Sequence, residues 1–80
     1  MEREQIISKL TEISREVFQD NQLIIKEDMS ATNVEAWTSL TFMQLLTAIE
    51  HEFNFRFKML EVIKLKNMGD IINSIELHTK

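Results

Sequence analysis

Ser39 is the residue of this sequence whose type and position are best suited to chemistry. It follows Trp37 and Thr38, at the point where an irregular segment gives way to an amphipathic stretch. The first turn of a helix presents unpaired backbone N–H groups and the positive end of the helix dipole, and both favour a phosphate. A serine placed there can carry a phosphodiester. The alternative is that Ser39 or Thr38 only caps the helix, because hydroxyl side chains are common caps.

The other side chains give little support for an enzyme or a metal site. The two histidines, His51 and His78, lie in different predicted helices, and Glu50 and Glu52 beside His51 point in other directions around their helix. The sequence has no cysteine and no glycine-rich phosphate loop. A chain of 80 residues also has little room for an enclosed pocket, so we expect no catalytic activity of its own.

The periodicity of apolar residues predicts the elements that must position Ser39. Helices are predicted over 3–19 and 39–53, within 55–66, and in a last segment that Asn67 caps and that frays after Leu77. The sequence has no proline and one glycine, which suits an all-α chain. We therefore predict one domain over residues 1–80, a four-helix bundle with a long first loop and a short third helix.

The same periodicity predicts which side chains are buried. The candidates are Ile6, Leu10, Ile13 and Val17 in the first helix; Leu40, Met43, Leu45 or Leu46, Ile49 and Phe53 in the second; Phe55, Phe57, Leu60, Ile63 and Leu65 in the third segment; and Met68, Ile71, Ile72 and Ile75 in the last helix. The loop over 20–38 is also rich in apolar residues, so we expect it to pack on the helices, with Trp37 as its anchor.

Charge and hydropathy limit the partners and the compartment. The net charge of −4 disfavours nucleic acid as a partner. No apolar run approaches the roughly 20 residues that span a bilayer, and the charged N-terminus is unlike a signal peptide, so we expect a cytoplasmic protein. The charge is uneven: residues 21–53 carry five acidic and one basic side chain, whereas residues 54–80 carry five basic and three acidic ones.

The stretch from Glu35 to Phe53 resembles the acyl carrier protein family, and most closely the free-standing carriers with a Trp-Asp-Ser-Leu signature. The resemblance continues at Phe57 and over residues 67–72, and in order and spacing it covers nearly the whole chain. It implies the four-helix fold of that family. It also implies that Leu45, Ile49 and Phe53 correspond to positions facing the core.

The resemblance implies that Ser39 receives 4′-phosphopantetheine from coenzyme A, in a reaction that a separate phosphopantetheinyl transferase performs with magnesium. The arm would end in a thiol that carries acyl or aminoacyl groups as thioesters. Acyl-loading and acyl-transfer enzymes of lipid or secondary-metabolite biosynthesis would be the partners of a monomeric carrier. Leu40 would lie beside the arm and help to anchor the second helix. Four apolar side chains are candidates to line a space for cargo or to form ordinary core: Leu46, Ile49, Leu60 and Ile63.

Thr38 departs from the family pattern, which has aspartate before the serine. The carboxylate of that aspartate takes part in recognition by the modifying enzyme, and here only the capping hydroxyl is kept. Three explanations stay open: a natural variant with a tolerant transferase, an engineered substitution, or a degenerate carrier that is no longer modified. In the last case the chain would be a helical module that binds a partner protein directly.

The outward face of the second helix is also less acidic than is usual in the family. Polar, uncharged residues and His51 occupy much of it, so we expect partner recognition to depend on apolar contacts and hydrogen bonds near Phe42 and Met43. The alternative is that Phe42 packs under the first loop. His51 is either a pH-responsive contact or a plain exposed residue, and Trp37 either anchors the loop or contacts the arm. The candidate recognition residues are Thr38, Leu40, Thr41, Phe42, Met43 and Glu50.

Overall fold

Four α-helices and no strand make up the fold in a computed structural model that describes residues 1–80. Their bounds are α1 Arg3–Val17, α2 Ser39–Phe53, α3 Met59–Lys64 and α4 Met68–His78. The predicted all-α bundle with a long first loop and a short third helix is therefore confirmed. The largest difference in bounds is at the end of α1, which stops two residues before the predicted position.

The end of α1 is set by its backbone. Gln19 adopts the left-handed conformation with a φ of 54°, which no helix can continue. The buried residues of α1 are Ile6, Leu10 and Ser14, and the buried Phe18 follows directly after the helix. The predicted Ile13 and Val17 are only half-buried. The buried face of α1 is therefore rotated slightly around the helix axis from the predicted face. It includes one small polar residue, Ser14.

The inward side of α2 is formed by Leu45, Leu46, Ile49 and Phe53, as predicted. The prediction was wrong for Leu40 and Met43, whose exposed fractions are 68% and 56%. Phe42 takes the inward position in this turn and packs against the core. Because each helical residue advances by about 100°, Leu40 and Met43 then point away from it. Asn54 ends α2 with a φ of 58°, directly after the last residue of the predicted range 39–53.

The first loop is attached to the N-terminus of α4, which confirms that it packs on the helices. The carbonyl oxygen of Met29 accepts a hydrogen bond from the Met68 N–H at 2.8 Å, and that of Glu27 accepts from the Gly69 N–H at 2.9 Å. These carbonyls satisfy N–H groups that have no partner within α4. A Cβ on Gly69 would lie 3.2 Å from the Glu27 Cβ, so the close approach of the loop favours glycine here.

The short helix α3 has no buried residue. Leu60 and Ile63 were predicted to be buried or to line a cargo space, but their exposed fractions are 73% and 63%. The reason is that Val62 and Leu65, which are half-buried, supply the apolar contacts of this segment with the core. The prediction of burial was therefore wrong for Leu60 and Ile63.

The last helix, α4, supplies four fully buried side chains, Met68, Ile71, Ile72 and Ile75, as predicted. It begins where the Asn67 side chain accepts a hydrogen bond from the Asp70 N–H at 2.8 Å. The Asp70 carboxylate accepts from the Lys66 N–H at 2.9 Å. The core has thirteen buried apolar residues: Ile6, Leu10, Phe18, Met29, Trp37, Leu45, Leu46, Ile49, Phe53, Met68, Ile71, Ile72 and Ile75.

Candidate functional site at the start of the second helix

Thr38 caps α2, and it does so together with Thr41. The Thr38 hydroxyl accepts a hydrogen bond from the Thr41 N–H at 3.2 Å, and the Thr41 hydroxyl accepts one from the Thr38 N–H at 2.8 Å. Thr41 also donates its hydroxyl proton to the carbonyl of Ala36 at 2.6 Å. The alternative between Ser39 and Thr38 as the cap is therefore decided in favour of Thr38.

Ser39 is the first residue of α2, and it is exposed. Its hydroxyl takes part in none of the hydrogen bonds within the protein, because the capping position is already occupied by Thr38. The first turn of α2 contains no acidic residue that would repel a negative group. An exposed, unengaged hydroxyl at a helix N-terminus is a suitable acceptor for a phosphodiester.

The junction rests on a stack of three aromatic rings. Trp37 lies with its ring centroid 5.9 Å from that of Phe18 and 6.0 Å from that of Phe42. Trp37 is buried and Phe42 half-buried. Trp37 is therefore a loop anchor, and Phe42 packs under the loop, which was one of its two predicted placements. The stack fixes the backbone on both sides of Ser39.

A cleft of about 480 Å³ opens beside Ser39. It is lined by Ala31, Trp37, Thr38, Ser39, Phe42, Leu65 and Lys66. The lining combines apolar surface with one cation, Lys66, which comes from the segment between α3 and α4. Apolar surface beside a single cation fits the attached end of a phosphopantetheine arm, which has a negative phosphodiester followed by an uncharged chain.

The outward side of α2 presents apolar surface and little unpaired negative charge. Leu40 and Met43 are exposed and border an open groove of about 640 Å³ between α1 and α2. The Glu50 carboxylate accepts a hydrogen bond from the Phe57 N–H at 2.8 Å, and the Glu52 carboxylate pairs with Lys9 at 3.2 Å. Both carboxylates of α2 are thus engaged within the protein.

The six predicted recognition residues divide into two groups by position. Leu40 and Met43 point outward, whereas four have structural contacts: Thr38 and Thr41 in the cap, Phe42 in the aromatic stack and Glu50 on the Phe57 N–H. Their role in partner recognition stays a prediction. His51 is exposed on the same outward side.

A polar cluster centred on Glu61 was not predicted. The Glu61 carboxylate accepts hydrogen bonds from the Lys58 N–H at 2.8 Å, from His78 Nε2 at 2.7 Å and from the Ser74 hydroxyl at 3.1 Å. The Lys58 N–H lowers the pKa of this carboxyl most, partial burial opposes the shift, and His78 and Ser74 lower the pKa further. The only signal in the sequence is that Ser74 and His78 are four residues apart, so they share a helix face.

Serine, glutamate and histidine meet in this cluster without forming a catalytic triad. Ser74 and His78 bond to the same carboxylate oxygen rather than to each other, so the imidazole cannot take the serine proton. No group of three His, Cys, Asp or Glu side chains is arranged to hold a metal ion. None of the four helices has the length and apolar content that a bilayer crossing needs.

Comparison with known proteins places the fold in a family. No protein-family model matches this sequence, and no curated protein does. A solved structure, the holo acyl carrier protein from Geobacter metallireducens determined by NMR in solution, superposes with a TM-score of 0.82 and 34% sequence identity. The match covers 89% of this chain and 82% of that one.

The chain belongs to the acyl carrier protein family. The family resemblance predicted from residues 35–53 is confirmed by this match. Acyl carrier proteins are carriers rather than enzymes, so the general role of this chain is to carry. In this acyl carrier protein, Ser39 is exposed at the first residue of α2 with its hydroxyl free of internal hydrogen bonds, and Thr38 caps the helix without a carboxylate.

Proposed function

We propose that this acyl carrier protein tethers acyl or aminoacyl intermediates as thioesters on a 4′-phosphopantetheine attached to Ser39, and presents them to partner enzymes. The observation that supports the proposal best is the Ser39 hydroxyl, which is exposed at the first residue of α2 and makes no internal hydrogen bond. The likeness to a carrier solved in its holo form supports the same cofactor.

In this proposal the chain holds the root of the arm and leaves the chemistry to other proteins. A phosphopantetheinyl transferase with magnesium would join the Ser39 oxygen to the phosphorus of phosphopantetheine, while the rest of coenzyme A leaves. The backbone N–H groups at the start of α2 stabilise the phosphodiester charge, and Lys66 lies across the same cleft. The bound group supplies the thiol that carries the cargo.

Partner enzymes would bind to the surface beside Ser39. Leu40 and Met43 are the exposed apolar contacts there, and Thr38, Thr41, Phe42 and Glu50 keep the start of α2 in place. We propose that residues 1–80 act as one monomeric carrier unit in the cytoplasm. With Glu50 as the one carboxylate of α2 that is not paired with a cation, docking on this helix depends mainly on shape and apolar contact.

The mass of the intact protein tests the attachment site. Purified protein is incubated with coenzyme A, magnesium and a broad-specificity phosphopantetheinyl transferase. We expect the mass to rise by one phosphopantetheine, and we expect no rise for Ser39→Ala. Ser30→Ala, which changes a serine in the first loop, is the matched control and should be modified like the wild type. A gain of mass in Ser39→Ala would contradict the assignment.

The second candidate function is an unmodified helical module that binds a partner through α2. Thr38 favours it, because this position lacks the carboxylate that the transferase reads in the family pattern. Thr38→Asp separates the two functions, since aspartate is an equally good cap and restores the charge. If the wild type is not modified and Thr38→Asp is modified readily, the chain is an unmodified helical module that has lost the carrier function. If both are modified, the carrier function holds.

A further inference from the structure

The third helix presents an apolar surface that nothing in the protein covers. Met59, Leu60 and Ile63 have exposed fractions of 79%, 73% and 63%. At about 100° per residue the three side chains lie on one side of α3, within an arc of roughly a quarter of the helix circumference. Three large exposed apolar side chains on one short helix indicate a contact surface rather than scattered exposure.

Four cations flank this apolar surface in the chain. Arg56 and Lys58 precede α3, Lys64 ends it and Lys66 follows it, and all four are exposed. None of them forms an ion pair with the protein. The only acid of the segment, Glu61, is turned away and bound to Ser74 and His78 of α4. The outward side of α3 is therefore apolar, and the segment that carries it, residues 56–66, has four basic side chains and one acidic one.

We propose that this surface of α3, with Met59, Leu60 and Ile63 at its centre, docks a protein partner that has an apolar pocket rimmed by carboxylates. The signs of charge are opposite to those of an acidic carrier helix that binds a basic enzyme surface: here the carrier is positive and the partner negative. Four exposed, unpaired cations within residues 56–66 match an acidic rim in charge, and opposite potentials steer such partners together. Docking through α3 would also compensate for the little unpaired negative charge on α2.

A protein pocket fits this surface better than an anionic membrane does. The helix α3 has six residues, which is about 9 Å of helix, so its apolar side is smaller than that of most membrane-surface helices. Residues 1–53 carry ten acidic and four basic side chains, and the chain has a net charge of −4. A broad anionic membrane surface would repel most of the protein, whereas a protein pocket contacts α3 alone.

The location of the surface connects it with the attachment site. Leu65 and Lys66, at the end of the basic segment 56–66, line the cleft that contains Ser39. A partner bound on α3 would therefore lie beside the root of the arm. What the partner does there depends on the proposed carrier function. The binding itself does not, because the apo protein has the same helix.

The test uses the full-length apo protein and two designed peptides. One is an amphipathic helix of leucine, alanine and glutamate, and the other has lysine in place of every glutamate. We expect the acidic peptide to shift the backbone amide signals of residues 56–66 in ¹⁵N-correlated NMR spectra, with an affinity that falls as salt is added. We expect the basic peptide to leave these signals unchanged. Shifts confined to other segments would overturn the proposal.

Two matched pairs of variants locate the contact. Lys64→Glu should weaken binding of the acidic peptide about tenfold, while Lys26→Glu, the same charge change at an exposed loop lysine, should alter it less than about twofold. Ile63→Gln should weaken binding by a similar factor, while Ile24→Gln at another exposed isoleucine should not. Equal effects within either pair would overturn the proposal.

Two further measurements exclude other occupants. Vesicles of phosphatidylcholine with phosphatidylglycerol should not retain the protein in sedimentation, and retention that Lys64→Glu abolishes would replace the proposal with a lipid surface. Sedimentation velocity should show no dimer. A dimer lost in Ile63→Gln would make a second copy of the chain the occupant and would likewise overturn the proposal. Because every measurement uses the apo protein, failure of Ser39 modification leaves these results standing.

Discussion

Thr38 and Thr41 cap the second helix reciprocally: each hydroxyl accepts a hydrogen bond from the other residue's backbone N–H, at 3.2 and 2.8 Å. The cap at position 38 requires an acceptor oxygen, which threonine and aspartate both supply. The replacement of the family's aspartate by threonine therefore keeps the start of α2 intact and removes only a charge. It also leaves the neighbouring Ser39 hydroxyl free.

We predict that Thr38→Ala lowers the free energy of unfolding by about 1 kcal/mol, because the Thr41 N–H loses its acceptor. Ser39→Ala should change it by less than about 0.5 kcal/mol, because the Ser39 hydroxyl makes no internal hydrogen bond. Urea unfolding of the two variants and the wild type measures both changes. A larger loss in Ser39→Ala than in Thr38→Ala would mean that Ser39 is the true cap.

Phe42 and Met43 are adjacent in sequence but differ in environment, so their substitutions should differ too. We predict that Phe42→Leu lowers the free energy of unfolding by about 1 to 2 kcal/mol, since it removes the stack on Trp37. Met43→Leu, at an exposed position, should change it by less than about 0.5 kcal/mol. Thermal unfolding checks the energies, and the near-UV circular dichroism of Trp37 should change only in Phe42→Leu.

The rate of modification should depend weakly on ionic strength. Glu52 is paired with Lys9, and Glu50 is half-buried with one oxygen bound to the Phe57 N–H, so α2 offers a basic enzyme only one negative charge that is not paired with a cation. We expect kcat/KM of a phosphopantetheinyl transferase to fall less than about threefold between about 50 and 300 mM salt. The variant Gln44→Glu, which adds a carboxylate to the exposed side of α2, should show a steeper fall. A steep fall for the wild type would contradict the prediction.

The Glu61 cluster should make stability depend on pH. Hydrogen bonds from the Lys58 N–H, His78 and Ser74 hold the pKa of Glu61 below its ordinary value of 4.5. A lowered folded-state pKa means that the carboxylate stabilises the protein fully above pH 4.5, and that this contribution is lost as the pH falls through the folded-state pKa. Glu61→Gln should therefore cost about 1 kcal/mol near neutral pH.

Urea unfolding of the wild type and Glu61→Gln at several pH values checks this prediction. The difference between their free energies of unfolding should shrink toward zero as the pH falls below 4.5. Glu35→Gln is the control, because Glu35 is exposed and its side chain forms no hydrogen bond or ion pair within the protein, so we expect it to change the free energy of unfolding by less than about 0.5 kcal/mol. A pH-independent difference for Glu61→Gln would contradict the prediction.

The sequence determined the elements whose signals are local. Apolar spacing located α2 at 39–53, and the residues that end or begin helices, Asn54 and Asn67, were predictable from their own backbone and side-chain preferences. The motif around Ser39 was sufficient to predict the family, because its residues are contiguous in the chain. The inward positions Leu45, Ile49 and Phe53 followed from the same spacing.

Only the tertiary structure decided which apolar residues are covered. Leu40 and Ile63 fit the helical spacing as well as Leu45 does, yet both are exposed. Burial depends on whether another element lies opposite, and the aromatic stack on Trp37 and the packing of Val62 turn these two side chains outward. The Glu61 cluster was likewise not predicted from the sequence, because Ser74 and His78 lie 13 and 17 positions after Glu61 in the chain.

The same distinction holds at Ser39. The sequence alone placed a hydroxyl pair at a helix start and left open which hydroxyl is the cap. The folded structure decided it: Trp37 stacks on Phe18, and beside it the Thr41 hydroxyl accepts from the Thr38 N–H and donates to the carbonyl of Ala36. A local pattern specifies which groups can bond, and the three-dimensional arrangement of the chain selects those that do.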